Sequence, residues 1–221
     1  MEGRSAEAHL IQTEKNYLEL SQRGIEVLEC KVENAVLIAD YVKKATLDNY
    51  LRELYIKGAI AQDEIYKLWD EIYRQILMSS DASDWKSNIM YSIGMQVNPD
   101  EEKYGKILKE GYVDMIPANA FFDGKKIVWF DQEWKLENVP ASYIMFRAIF
   151  AFYVGMANRK TFVTVNDLAL RYGLVECWDE FNQLESAFIQ SVTDAKHIQE
   201  STGFQGNPRN DMINCIKRIM G

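Results

Sequence analysis

Two short apolar runs, Ala120-Phe121-Phe122 and the stretch from Lys125 to Phe130, flank an Asp123-Gly124 pair. Asp-Gly between aromatic and β-branched residues is the strongest local signal for a tight antiparallel hairpin, because both central turn positions need positive φ. Such a hairpin constrains more than two strands. It sets Asn119, at the start of the first strand, beside Asp131, at the end of the second, and leaves Asp114 in the loop feeding the first strand. The stretch from Gly111 to Trp134 therefore reads as the edge of a small sheet where an acid, an amide and a second acid converge.

Around this stretch the chain reads as mostly helical. Leu10, Ile11, Tyr17 and Leu20 give helical spacing from Ser5 to about Arg23, with Gly24 as the stop. Glu14 on that helix reads as a solvated acid. Two β-like runs follow, Ile25 to Cys30 and Ala35 to Tyr41, joined by a polar turn from Lys31 to Asn34. Thr46 is placed to cap the next helix. From Ala61 to about Ser79, Ile65, Leu68, Trp69, Ile72, Tyr73 and Ile76 recur at three and four, the broad apolar face of a core helix. Residues 79–97 read as loop. Asn98-Pro99 followed by acids predicts a helix running to near Gly111.

Beyond Trp134 the spacing predicts helices to the end. A buried one starts at Asn138-Val139-Pro140, and a second is capped by Thr164 with Asp167 and stopped at Gly173. A third, amphipathic, runs from Glu176 to about Lys196. A polar connector from Ser201 to Gly206 leads to a last helix ending at Met220.

With 48% apolar and 26% charged residues over 221 positions, the chain can bury a sizeable core. A net charge of −8 argues against nucleic acid or anionic membrane as partner, since both call for basic patches. Cys30, Cys177 and Cys215 are odd in number, far apart and without metal-ligand spacing, which implies buried thiols in a reducing, cytoplasmic setting. His9 and His197 are the only histidines, too few for a histidine metal site. The longest apolar stretch, Tyr143 to Met156, is too short to span a bilayer and contains Arg147.

The central stretch resembles the catalytic loop and metal-binding segment of the protein-kinase-like superfamily, particularly its aminoglycoside and choline phosphotransferase branch. Asp114-Met-Ile-Pro-Ala-Asn119 is similar to that family's pattern of Asp, four residues, Asn, and the run from Ile127 to Glu133 resembles its apolar strand ending in a metal-binding Asp. Two departures stand out: Gly111-Tyr112-Val113 replaces the family's usual residues before the first Asp, and Gln132-Glu133 follows the second, where protein kinases have Phe-Gly.

The resemblance implies Asp114 as base toward a hydroxyl acceptor, Asn119 and Asp131 as magnesium ligands on ATP phosphates, and Asp40, Tyr41 and Val42 as a hinge contacting adenine. It implies a mainly α fold with small β-hairpins (α+β), a kinase-like large lobe lacking most of the N-terminal lobe. Residues 1–44 would be the remnant of the small lobe and hinge, and 45–221 the helical large lobe. Phe130-Asp-Gln-Glu-Trp134 and Asn138-Val-Pro-Ala-Ser-Tyr143 also resemble the kinase-like part of bacterial surface-polysaccharide proteins that pair it with a methyltransferase.

The family's glycine-rich phosphate turn has no counterpart here, since G-x-G-x-x-G does not occur, and Glu14 has no evident upstream lysine partner. The expected function is a phosphotransferase lobe using ATP and magnesium on a sugar or other small hydroxyl compound, within a larger transferase. The alternative is a noncatalytic helical scaffold adjoining a methyltransferase or glycosyltransferase domain. A third reading makes Asp114 a turn cap and Asp131 a purely local hydrogen-bonder.

Overall fold

The computed structural model describes residues 2–97, 101–156 and 161–192, with positions 2–6 and 101 by their backbone alone. In chain order, α1 (Glu2–Gln22) leads to a hairpin of β1 (Cys30–Glu33) and β2 (Val36–Ala39). Then come α2 (Leu47–Lys57), α3 (Gln62–Met78), and the single turns α4 (Ile89–Ser92) and α5 (Glu101–Tyr104). The strands β3 (Ile107–Tyr112), β4 (Ala120–Phe122), β5 (Ile127–Trp129) and β6 (Lys135–Pro140) precede α6 (Ala141–Val154), α7 (Val165–Arg171) and α8 (Trp178–Val192). The strands form three two-stranded antiparallel sheets, β1–β2, β3–β6 and β4–β5. The fold is thus mainly helical α+β. No helix among the described residues is long and apolar enough to cross a membrane.

The core centres on α3 and α6. Ile65, Leu68, Trp69, Ile72 and Ile76 bury the inner face of α3 as their spacing predicts. α6 is buried almost all round, with Tyr143, Ile144, Phe146, Ile149 and Phe152 inaccessible or nearly so, as expected of a helix without a polar stripe. One apolar cluster runs from Leu20 and Ile25 to Phe188. Local signals set the helix ends. Thr46 accepts from the Asn49 amide at 3.3 Å, and Thr164 and Asp167 make a reciprocal capping box. At the far end of α3, Lys106 Nζ donates to the Leu77 and Ser80 carbonyls, a cation where the helix dipole is negative.

Several expectations are corrected. Residues 107–112 form a strand, not the end of a helix, and 135–140 form its partner, so the chain beyond Trp134 is not helical throughout. A helix does begin after the Asn98-Pro99 signal, as α5, but it ends at Tyr104, and pairing with a segment distant in sequence claims the residues that follow. The β1–β2 turn falls on Asn34 and Ala35, both at positive φ, rather than on Lys31 to Asn34. Residues 25–28 lie outside that hairpin because β5 takes their hydrogen bonds: Trp129 donates to the Glu26 carbonyl and Leu28 to the Trp129 carbonyl. The β4–β5 connection is a four-residue loop in which Gly124 has positive φ and Asp123 does not. Asp123 shapes it instead by accepting from the Lys125 and Lys126 amides at 3.1 and 3.0 Å. Glu14, read as solvated, accepts from the Val32 amide at 3.2 Å and ties α1 to β1. The cap at Asn98-Pro99, the end of the last amphipathic helix at Lys196, the connector from Ser201, the final helix and Cys215 lie outside the described residues.

Candidate active site

β3 delivers the chain into the 113–119 loop, a 3-10 turn over Pro117–Asn119 starts β4, and β5 returns it to Asp131. The base of this hairpin is closed by the Phe130 amide donating to the Asn119 carbonyl at 2.9 Å, and Phe121 stacks on Phe130 with ring centres 4.4 Å apart. Below it, Trp129 Nε1 donates to Gln75 Oε1 on α3 at 2.6 Å, which seats the hairpin on the central helix.

Asp114, Asn119 and Asp131 come together as expected, joined through backbone. Asn119 Nδ2 donates to the carbonyl of Asp114 at 3.3 Å and to that of Asp131 at 3.5 Å. Gln132, fully buried, adds a second brace: its Nε2 donates to the carbonyls of Asp114 and Phe130, both at 2.9 Å. The Asp114 carbonyl is thus held by two side-chain amides. Its carboxylate accepts from the Trp134 amide at 2.8 Å.

The two acids differ in setting. Asp114 is partly buried, and burial pushes its carboxyl up from 3.8 to about 6. The Trp134 amide and the Arg147 charge pull it down, and the negative charges of Asp131 and Glu133 push it further up. Asp131 is exposed, and its carboxyl is also raised, first by desolvation and then by Glu133. Its backbone has φ +56°, a left-handed conformation that side-chain-bearing residues adopt at a cost. Its carboxylate makes no hydrogen bond or ion pair among the described residues.

Several residues at this site carried no local sequence signal. From α1, Tyr17 accepts from the Asp131 amide at 2.6 Å, and Asn16 Nδ2 donates to the Gln132 and Glu133 carbonyls at 2.9 and 3.2 Å. His9 lies 3.3 Å from Glu133 and packs on Trp134. Glu19 accepts from Tyr112 and Lys135, anchoring the same helix to the β3–β6 sheet. On the other side, Arg147 of α6 donates to the Val113 carbonyl at 3.0 Å. A polar residue in an otherwise apolar helix was the one visible hint, because a buried cation demands a partner.

The expected hinge stands apart. Asp40, Tyr41 and Val42 lie in the link between β2 and α2, outside any helix or strand, and among the described residues no hydrogen bond or ion pair joins them to the three site residues. Tyr41 is 90% exposed. Asp40 does line a groove of about 310 Å³ with Glu29, Cys30, Lys31, Ile38 and Ala39. Among the described residues, no group of three or more His, Cys, Asp and Glu side chains is arranged to hold a metal ion. Comparison with protein-family models, curated proteins and solved structures finds no match to this chain.

Proposed function

We propose that this chain is the catalytic lobe of a phosphotransferase that moves the terminal phosphoryl group of ATP to a sugar or other small hydroxyl compound. The observation that carries this reading is the shared frame of Asp114, Asn119 and Asp131, in which one acid is tuned to about 6 and the other is left unpaired in a left-handed turn. A general base serves best with a pKa near the working pH, and Asp114 is so tuned by its burial. In this role its carboxylate accepts the acceptor's proton as the oxygen attacks the terminal phosphorus and the bond from that phosphorus to the bridging oxygen breaks, releasing ADP.

The donor set suits magnesium. The cation prefers oxygen ligands, keeps several waters and binds through one or two carboxylates together with substrate phosphates. Asp131 offers a free carboxylate, and Asn119 spends its Nδ2 on backbone, which leaves its Oδ1 to ligate. The chemistry supplied by bound magnesium is neutralisation of charge on the phosphates. In this reading the nucleotide lies in the groove beside Asp40, whose volume is that of a small ligand site. A glycine-rich phosphate cover would come from another segment or chain of a larger transferase. The absence of that motif from these 221 residues also favours the second reading, a noncatalytic scaffold beside a methyltransferase or glycosyltransferase domain.

Calorimetry with ATP and magnesium separates the two. Weak, magnesium-dependent binding is expected, nearly unchanged in Asp114→Asn and lost in Asp131→Asn. No binding, or an equal response to both variants, overturns the phosphotransfer reading.

A further inference from the structure

We infer that Tyr17 of α1 is a positioning residue. Its hydroxyl holds the Asp131 backbone in the left-handed conformation that sets the Asp131 carboxylate toward a divalent cation.

Three observations converge on it. The Asp131 amide donates to the Tyr17 oxygen at 2.6 Å, a short bond to a side chain that is 6% exposed. Asp131 adopts φ +56° although it carries a side chain, and such strain persists only where surrounding contacts over-determine it. The neighbouring helix residue Asn16 grips the next two carbonyls, of Gln132 and Glu133, so one turn of α1 holds three successive residues. A phenol accepts from the amide through an uncharged oxygen, whereas an acidic side chain in the same place would bring a second negative charge against Asp131. Removing the hydroxyl leaves the Asp131 N–H without its short side-chain partner and frees the turn to relax toward ordinary φ.

The inference rests on the phosphotransfer reading for what Asp131 holds, but not for how its backbone is held, so two measurements are paired. Amide hydrogen exchange at Asp131, followed by NMR, reports the backbone. Mn²⁺ titration, read by paramagnetic line broadening, reports the carboxylate. Tyr153→Phe serves as control, because Tyr153 is equally buried and its hydroxyl bonds the Val163 carbonyl away from the site. Tyr17→Phe is expected to speed exchange at Asp131 selectively and to weaken Mn²⁺ binding roughly three- to tenfold, with Tyr153→Phe changing neither. Unchanged Asp131 exchange in Tyr17→Phe overturns the inference whatever the metal result. Wild-type protein that takes up no Mn²⁺ overturns the phosphotransfer reading instead, and the exchange comparison still decides the part of Tyr17.

Discussion

Arg147 donates its Nε–H to the carbonyl of Val113 at 3.0 Å, one residue before Asp114. Its Nη1 meanwhile lies 2.6 Å from both carboxylate oxygens of Glu185, on α8, and Tyr143 donates to the same carboxylate at 2.8 Å. The guanidinium also lies over the Phe188 ring. A helix from the last third of the chain thus steadies, through one cation, the loop that carries the candidate base.

Breaking this pair from one side leaves a buried charge without its partner, a loss of typically about 3–5 kcal/mol. Glu185→Gln is expected to lower stability by that order in urea unfolding. The combined Arg147→Met and Glu185→Leu variant recovers most of it, since an apolar pair of similar volume avoids the desolvation cost. It also removes the cation that draws the Asp114 carboxyl down, so that group should titrate above its present value of about 6.

Asp114 costs the fold stability when ionised. Its folded pKa lies above its ordinary value, so the folded state holds the proton more tightly. The contribution is fully present below about pH 4 and is lost as pH rises through about 6. Asp114→Asn is expected to be more stable than wild type by about 1–3 kcal/mol at pH 7.5, with the gap closing toward pH 4. Thermal melts of both proteins across that range test it. A gap that does not change with pH would deny the carboxyl its raised pKa.

Gly111 lies in β3 where the sheet meets α6. A methyl group there would overlap Val139 Cγ1 and come within 2.8 Å of Ile144 Cδ1. Gly111→Ala is therefore expected to cost about 1–3 kcal/mol through overpacking, read as a lower urea midpoint with an unchanged slope. The position calls for glycine because of close approach, not because of backbone conformation.

Much of the fold was legible where the determining contacts are local. The α3 face, the Thr46 and Thr164 caps and the buried helix after Pro140 follow from spacing and capping chemistry within a few residues. The β3–β6 pair was not legible. Its strands mix Lys109, Glu110, Lys135 and Glu137 with apolar residues, and their pairing spans more than twenty positions. The site divides in the same way. Asp114, Asn119 and Asp131 announced themselves through one hairpin, whereas Asn16, Tyr17 and Arg147 reach it across long separations that leave no mark on local pattern. In sequence Gln132 shows only as a departure from the protein-kinase pattern after the second Asp, whereas in the fold it braces the carbonyls of Asp114 and Phe130.

The braces of this site grip main chain. Asn16 holds the carbonyls of residues 132 and 133, Tyr17 the amide of 131, and Asn119 and Gln132 the carbonyl of 114. The socket is thus largely built independently of the tool it holds. Exchanging the carboxylate at 131 leaves these braces in place, and at 114 an amide oxygen can still accept from the Trp134 amide. Chemistry at these two positions is free to change while the cradle stays the same.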